Sequence, residues 1–207
     1  LFFTNGMRMF NRNFTIMPNG DSLSGHYSSS SGSLIVPYPG HENQFYVFTT
    51  DCASCDENKG LRYSIVDISL DNGLGDVVSL AKNVFLMEKA TEKVTAIRHS
   101  NQKDFWIISP KWGTDEYYIY YLNENGIYPP KIYHSGYICQ SLLPNYPDYM
   151  DDGMGCIKAS MDGNFVASCY YWSNKLMLLR FNNATGILFD SLLIDVGRVP
   201  YGVAFSP

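Results

Sequence analysis

Two cysteines three positions apart, Cys52 and Cys55, lie in the polar stretch DCASCDENKG and could hold a metal ion, a redox pair or a disulfide. A structural zinc site takes four ligands, usually two cysteine pairs or one pair with two histidines. No second CxxC and no HxxxH motif occurs. A thioredoxin-like pair needs a helix that begins after a strand, whereas this stretch joins two strand-like runs. We therefore expect neither metal nor redox chemistry; the thiols are either free or, in a secreted protein, joined in a loop disulfide.

The histidines and carboxylates form no catalytic motif. The four histidines are far apart in the sequence, at His26, His41, His99 and His134. His26 precedes a serine-rich run whose composition is typical of a flexible loop and does not indicate a nucleophile. Three aspartates cluster at 148–152, without the EF-hand spacing and without the glutamate that closes its calcium loop. We therefore predict no catalytic residue, no bound metal and no cofactor.

Aromatic side chains make up 15% of the chain and could stack on a ligand. Most of them lie in strand-like runs, where alternate residues fill the space between packed sheets, so we expect them to form the core. Trp112 and Trp172 lie at strand ends. We predict that these two are exposed and are candidates for ligand contact.

Charge and hydropathy exclude two classes of partner. The 207 residues carry a net charge of −5, and the 15 Lys and Arg residues are scattered. Nucleic-acid binding requires a basic footprint to neutralise phosphates, so we expect no nucleic-acid partner. The chain has no apolar run of about 18 residues, so we expect no membrane span.

Short strand-like runs separated by turn residues fill the whole chain and predict an all-β fold. Aromatic strand openings recur every 60 residues, at Phe45, Phe105 and Phe165. Repetition of a four-strand unit is typical of a β-propeller, and a sandwich, the rival all-β fold, has no reason to repeat one. We predict one partial propeller domain over 1–207, divided into a hairpin (1–12), three blades (about 34–88, 92–136 and 154–196) and the first strand of a next blade (200–207). Because propellers have about four to eight blades, three blades predict a fragment of a longer protein.

Several blocks of sequence resemble a known group of proteins. The chain resembles the propeller-like N-terminal region of large secreted Bacteroidota proteins, which carry gliding-motility-type, type IX secretion sorting domains. The blocks that resemble it are LFFTNGMRMFNRNFTIMPNGDSLSG, SSSSGSLIVPYPG and LRYSIVDISLDNGLGDV. SMDGNFVA with FNNATG is similar to YVTN- and WD-type propeller repeats. The resemblance spans essentially the whole chain. It implies a seven-bladed parent at the cell surface or outside the cell, with no established catalytic residues.

These observations predict a non-catalytic binding or scaffold module, not an enzyme, located extracellularly or on the outer-membrane surface. Its partners would be an unknown protein or glycan, and the remaining blades or another chain would cover its open end faces. The alternatives are a glycan-active propeller enzyme, either hydrolase or lyase, and a structural spacer in a large adhesin. Carboxylates and a histidine that converge at the channel mouth would favour the enzyme, and a continuous exposed aromatic groove would favour binding.

Overall fold

The computed structural model describes residues 1–53, 59–140 and 151–206 and shows an all-β chain. A hairpin of β1 (Phe2–Thr4) and β2 (Met9–Asn11) comes first. Its turn forms at the Asn5-Gly6 pair, where Gly6 adopts φ +89°. A side chain at Gly6 would come within 3.0 Å of the Gly32 carbonyl oxygen, because the turn packs against the serine-rich run.

Three antiparallel sheets follow one another along the chain. The first sheet contains β3 (Ser33–Pro37), β4 (Gln44–Thr50), β5 (Leu61–Asp67), β6 (Asp76–Val77) and β7 (Val84–Met87). The second contains β8 (Thr95–Arg98), β9 (Phe105–Pro110), β10 (Glu116–Asn123), β11 (Gly126–Ile127) and β12 (Lys131–His134). The third contains β13 (Ile157–Ala159), β14 (Phe165–Tyr170), β15 (Lys175–Asn182) and β16 (Ile187–Asp195). In the first sheet β6 and β7 both pair with β5, and in the second β11 and β12 both pair with β10. Each pair of short strands therefore acts as the fourth strand of its sheet.

Helical structure is confined to single turns. The turn α1 (Leu70–Gly73) has Asp71 at φ 47° and Asn72 at φ 54°, so it is left-handed at its centre. Short 3-10 turns cover Ser79–Ala81 and Asp151–Gly153.

The sheets are arranged side by side around their first strands, as in a propeller. β8 contacts β3 on one side and β13 on the other. Phe48 and Ile107 belong to a core between the first and second sheets, and Trp106 and Leu179 to a core between the second and third. A sandwich has only two facing sheets. The structure therefore supports an all-β, propeller-like fold of successive four-stranded antiparallel sheets.

The three evenly spaced phenylalanines occupy equivalent positions. Phe105 and Phe165 are the first residues of the second strands of their sheets, and Phe45 is the second residue of its own. The 60-residue spacing therefore reflects equivalent positions in three successive sheets. Residues 200–206 form no strand, although the Tyr201 carbonyl accepts the Cys156 N–H at 2.9 Å. That segment as the opening of a further blade stays a prediction.

Candidate functional site

One end of the three sheets carries several buried polar and charged groups, and we call this end the loop face. Antiparallel strands alternate in direction, so the segments that lead into each first strand lie at the same end as the turns between second and third strands. The loop face is formed by 24–32, 51–53, 88–94, 111–115, 151–156 and 171–174.

A buried glutamate ties these segments together. Glu92 is 3% exposed, and its Oε2 accepts the Ser30 N–H at 2.6 Å and the Ser30 Oγ–H at 2.5 Å. Its Oε1 accepts the Ala53 N–H at 2.7 Å. Three donors satisfy the carboxylate, as a buried charge requires. Glu92 therefore joins the serine-rich run and the segment after β4 to the start of the second sheet.

Ser30 is the other half of this arrangement. Its Oγ donates to Glu92 and accepts the Gly155 N–H at 2.9 Å, so it also reaches the third sheet. Gly155 has φ +97°, and a side chain there would lie 3.1 Å from the Cys169 Cβ. The neighbouring Ser29 Oγ is 2.9 Å from the Thr50 Oγ1. The serine-rich run, predicted to be a flexible loop, is thus held by hydrogen bonds to distant segments.

A cleft of about 390 Å³ opens between the serine-rich run and the first strands, and Ser30 lines it. That volume lies within the usual range for small-molecule sites. Its polar lining includes Ser31, Ser33, Thr95 and Lys158, and the described lining contains no aspartate or glutamate. Lys158 is exposed on β13 and forms no ion pair with any described residue. The cleft is therefore a hydroxyl-rich site with one available cation.

His26 also lines the cleft. Its Nδ1 accepts the Ser28 N–H at 3.1 Å, and its ring stacks on Tyr27 at 4.3 Å between centroids. An imidazole whose Nδ1 accepts a hydrogen bond carries a proton on Nε2. His26 therefore offers a hydrogen-bond donor at Nε2.

A second polar network lies behind the cleft. Lys93 is fully buried, its Nζ donates to the Asp152 carbonyl oxygen, and it lies 5.0 Å from the centroid of the Tyr170 ring. Burial lowers the pKa of Lys93, against the opposing effect of nearby anionic groups, among them Asp152 and Glu92. The Tyr170 hydroxyl is 2.9 Å from that of Tyr117. These groups are too deeply buried to meet a substrate, so we assign them to holding the loop face.

The predicted ligand-contact tryptophans differ in exposure. Trp172 is 49% exposed, and its contact with a ligand stays a prediction. Trp112 is only 8% exposed, so its predicted exposure is wrong. The turn that carries it folds inward, where the Trp112 N–H donates to the Lys89 carbonyl at 2.8 Å and the Gly113 N–H to that of Cys139 at 2.8 Å.

The structure distinguishes between the two predicted states of Cys52, a free thiol or a disulfide. Cys52 is disulfide-bonded and only 1% exposed. Buried Asp51 closes the loop by accepting the N–H groups of Cys52 at 2.9 Å and Lys59 at 3.0 Å. Cys55 lies outside the described residues, so its pairing with Cys52 stays a prediction.

The aspartate cluster gives no evidence of a metal site. Asp148 lies outside the described residues. Asp152 accepts the Ser173 N–H at 2.9 Å and the Tyr137 O–H at 3.1 Å. Across 1–53, 59–140 and 151–206, no three potential metal-ligating side chains come together.

No helix in the described part of the chain is long and apolar enough to cross a membrane.

Comparisons with known proteins bear on the fold. No family model and no curated protein matches the chain. A crystal structure described as "a putative 6-phosphogluconolactonase" from Bacteroides uniformis matches it with a TM-score of 0.55, at 11% identity over 100% of this chain. The chain spans 60% of the length of that protein. A GH43 β-1,3-galactosidase matches with a TM-score of 0.46, at 12% identity over 93% of this chain and 39% of its own.

The likeness to the Bacteroides uniformis protein corrects the predicted function. The prediction of a non-catalytic binding or scaffold module, and of no enzymatic activity, is overturned because the fold is shared with a protein described as an enzyme. At such identity the likeness itself shows the fold alone.

Proposed function

We propose that the protein hydrolyses carbohydrate-derived esters, including sugar lactones, in the cleft of the loop face. The observation that carries the proposal is the 2.5 Å hydrogen bond from the Ser30 hydroxyl to the buried Glu92 carboxylate. A hydroxyl within hydrogen-bond reach of a base is the arrangement of an activated nucleophile. Ser30 also lines the cleft, so a bound substrate can reach it.

The reaction follows from this pair. Ser30 Oγ bonds to the ester carbonyl carbon as its proton passes to Glu92 Oε2. The C–O bond to the leaving alcohol then breaks, and Glu92 returns the proton to that alcohol, which in a lactone stays attached to the acyl chain. A water molecule then gives a proton to Glu92 Oε2 as its oxygen bonds to the acyl carbon. The bond between that carbon and Ser30 Oγ breaks, and Glu92 returns the proton to Ser30, which restores its hydroxyl. The Gly155 N–H, which donates to Ser30 Oγ, stabilises that oxygen whenever it carries negative charge.

The remaining cleft residues favour an anionic, hydroxyl-rich substrate. Lys158 supplies a cation for a phosphate or carboxylate group, and the His26 Nε2–H supplies a hydrogen-bond donor. The name of the Bacteroides uniformis protein specifies a phosphorylated sugar lactone as its substrate. We propose the same class of substrate here, a sugar acid ester or lactone that carries a negative charge.

Glycoside cleavage fits the cleft less well. Most glycosidases use two carboxyl groups about 5–10 Å apart on either side of the scissile bond. The described lining contains no aspartate or glutamate, and Glu92 reaches it only through Ser30. Among the hydrolase reactions, we therefore propose ester hydrolysis and not glycoside cleavage.

The test is hydrolysis of a substrate panel by the full-length protein. The panel contains 6-phosphogluconolactone, gluconolactone, p-nitrophenyl acetate and p-nitrophenyl β-galactoside. We expect activity on the lactones, a preference for the phosphorylated one, and none on the galactoside. Lys158→Met should raise KM for the phosphorylated lactone and leave KM for gluconolactone nearly unchanged, because only the former carries the charge.

Variants within the serine-rich run supply the matched control. Ser30→Ala should lower kcat by about 100-fold or more, in line with loss of a nucleophile or general base. Ser29→Ala lies next to it, loses one hydrogen bond to Thr50 and should keep near-normal kcat. Equal kcat in both variants, or activity on the galactoside alone, would refute the proposal.

We further propose that the whole polypeptide forms a closed propeller, seven-bladed as the resemblance implies. Supporting this, Leu192 is 55% exposed on the outer strand of the third sheet, and the chain spans only 60% of the Bacteroides uniformis protein.

The disulfide at Cys52 supports an oxidising compartment, consistent with an extracellular or outer-membrane location.

A further inference from the structure

An exposed group of three aromatic rings lies at the loop face, beside the third sheet. Trp172 and Tyr201 are each 49% exposed, and Tyr171 lies between them. The Tyr171 ring centroid is 5.4 Å from that of Trp172 and 5.6 Å from that of Tyr201, with interplanar angles of 82° and 87°. We call these three residues the aromatic platform.

We infer that the aromatic platform is a sugar-binding subsite that holds a second part of the substrate outside the cleft. The inference rests on the proposed function, because it extends the same site to a substrate with more than one sugar ring. A pyranose ring has an apolar C–H face and a polar edge. Tyr and Trp offer a flat apolar surface with a polar tip, so the two surfaces are complementary.

The platform is held in place before any ligand binds. Ser173, next to Trp172 in the turn, donates its N–H to Asp152 Oδ1 at 2.9 Å and its Oγ–H to Oδ2 of the same carboxylate. The Tyr137 hydroxyl lies 2.7 Å from the Ser173 Oγ and reinforces the turn. Ordered rings lose little conformational entropy on binding, which favours affinity.

Backbone contacts connect the platform to the cleft. The Tyr201 carbonyl accepts the Cys156 N–H at 2.9 Å, and Cys156 lines the cleft. Gly155, which donates to the proposed nucleophile, would carry a side chain only 3.4 Å from the Pro200 carbonyl oxygen. The backbone that carries Tyr201 therefore adjoins the cleft lining at Cys156, which places the platform on the same face as the cleft.

The test begins with accessibility in the full-length protein. Within residues 1–207, Trp106 and Trp112 are buried, so the difference in acrylamide quenching between the unmodified protein and Trp172→Phe reports on Trp172. We expect strong quenching, and protection when β-1,4-linked hexasaccharides of glucose, xylose, mannose or N-acetylglucosamine are added. A Trp172 that acrylamide cannot reach would mean that another part of the polypeptide covers the platform, and would overturn the inference.

Calorimetry with the same hexasaccharides then measures the contribution of each ring. Trp172→Ala and Tyr201→Ala should each weaken binding of the best ligand by about tenfold, an effect of about 1.4 kcal/mol. Tyr128→Ala removes a ring that is 44% exposed on the second sheet and should change nothing. No binding to any of the four sugars, or equal affinity in all three variants, would overturn the inference.

The Ser30→Ala variant separates this inference from the proposed function. It should lose lactone hydrolysis and keep hexasaccharide affinity. If hydrolysis depends on Ser30 while the platform variants bind normally, only the subsite is wrong. If the platform binds sugar while no ester is hydrolysed, only the catalytic proposal is wrong.

Discussion

Gly186 is a position where one added methyl group should strongly disturb the packing. It lies in the turn between β15 and β16 with φ +69°, and a Cβ there would lie 2.4 Å from the Trp106 ring of the neighbouring sheet. The same turn accepts the Trp106 Nε1–H on the Asn183 carbonyl at 2.8 Å. Gly186→Ala therefore strains the turn and pushes a large ring out of the junction between two sheets.

The expected loss of stability can be worked from these contacts. An alanine held at positive φ lowers the free energy of unfolding by about 1–2 kcal/mol. Overpacking against the ring lowers it by about 1–3 kcal/mol, and loss of the indole hydrogen bond by about 1 kcal/mol. Together these give about 3–6 kcal/mol, a large part of the 5–15 kcal/mol typical of a folded protein. Most of it arises from Trp106 and not from the backbone.

Urea denaturation followed by far-ultraviolet circular dichroism measures the loss, and Gly113→Ala is its matched control. Gly113 has φ +75° but nothing within 4 Å of the position of a Cβ. Its substitution should cost only the backbone strain, about 1–2 kcal/mol. Equal losses in the two variants would refute the reasoning about the sheet junction.

Two further predictions concern pH. The Asp115 carboxylate raises the pKa of His134 through a 2.8 Å hydrogen bond, and His134 in turn lowers the pKa of Asp115. The contribution of His134 to stability is lost as pH rises through its folded pKa, and that of Asp115 is lost as pH falls through its folded pKa. The pair is therefore most stabilising between about pH 4 and 6.5. NMR titration should show a lower His134 pKa in Asp115→Asn, and an unchanged pKa would contradict this. Burial raises the pKa of Tyr117 and Tyr137 from 10 to about 12, so their contribution is complete below pH 10 and is lost as pH rises toward 12. The phenolate absorbance of the buried tyrosines, which follows that of exposed ones such as Tyr27, should therefore appear together with unfolding in that range. Full ionisation of all tyrosines while the circular dichroism stays native would contradict it.

Local patterns predicted the fold better than the site. The 60-residue spacing of Phe45, Phe105 and Phe165 is set by repeated four-stranded units, so it can be seen in one sequence. The contact of Ser30 with Glu92 joins residues 62 apart, in segments that meet only after two sheets have formed side by side. Residue type gave no signal for it, because serine-rich runs and surface glutamates are common.

Trp112 shows a second limit of sequence reasoning. A position at the end of a strand predicted exposure, but the backbone of its turn bonds to Lys89 and Cys139, from segments on either side of the second sheet. Those contacts draw the ring into the core between the second and third sheets. Whether a turn folds inward depends on partners distant in sequence, which a local pattern cannot supply.

The most direct test is to label the proposed nucleophile covalently. The full-length protein is treated with a fluorophosphonate, which phosphonylates an activated serine hydroxyl, and its peptides are analysed by mass spectrometry. We expect one modified residue, Ser30, and a loss of lactone hydrolysis in proportion to its labelling. Glu92→Gln should be labelled only weakly. Labelling of a different residue, or lactone hydrolysis that persists undiminished in Ser30→Ala, would contradict it.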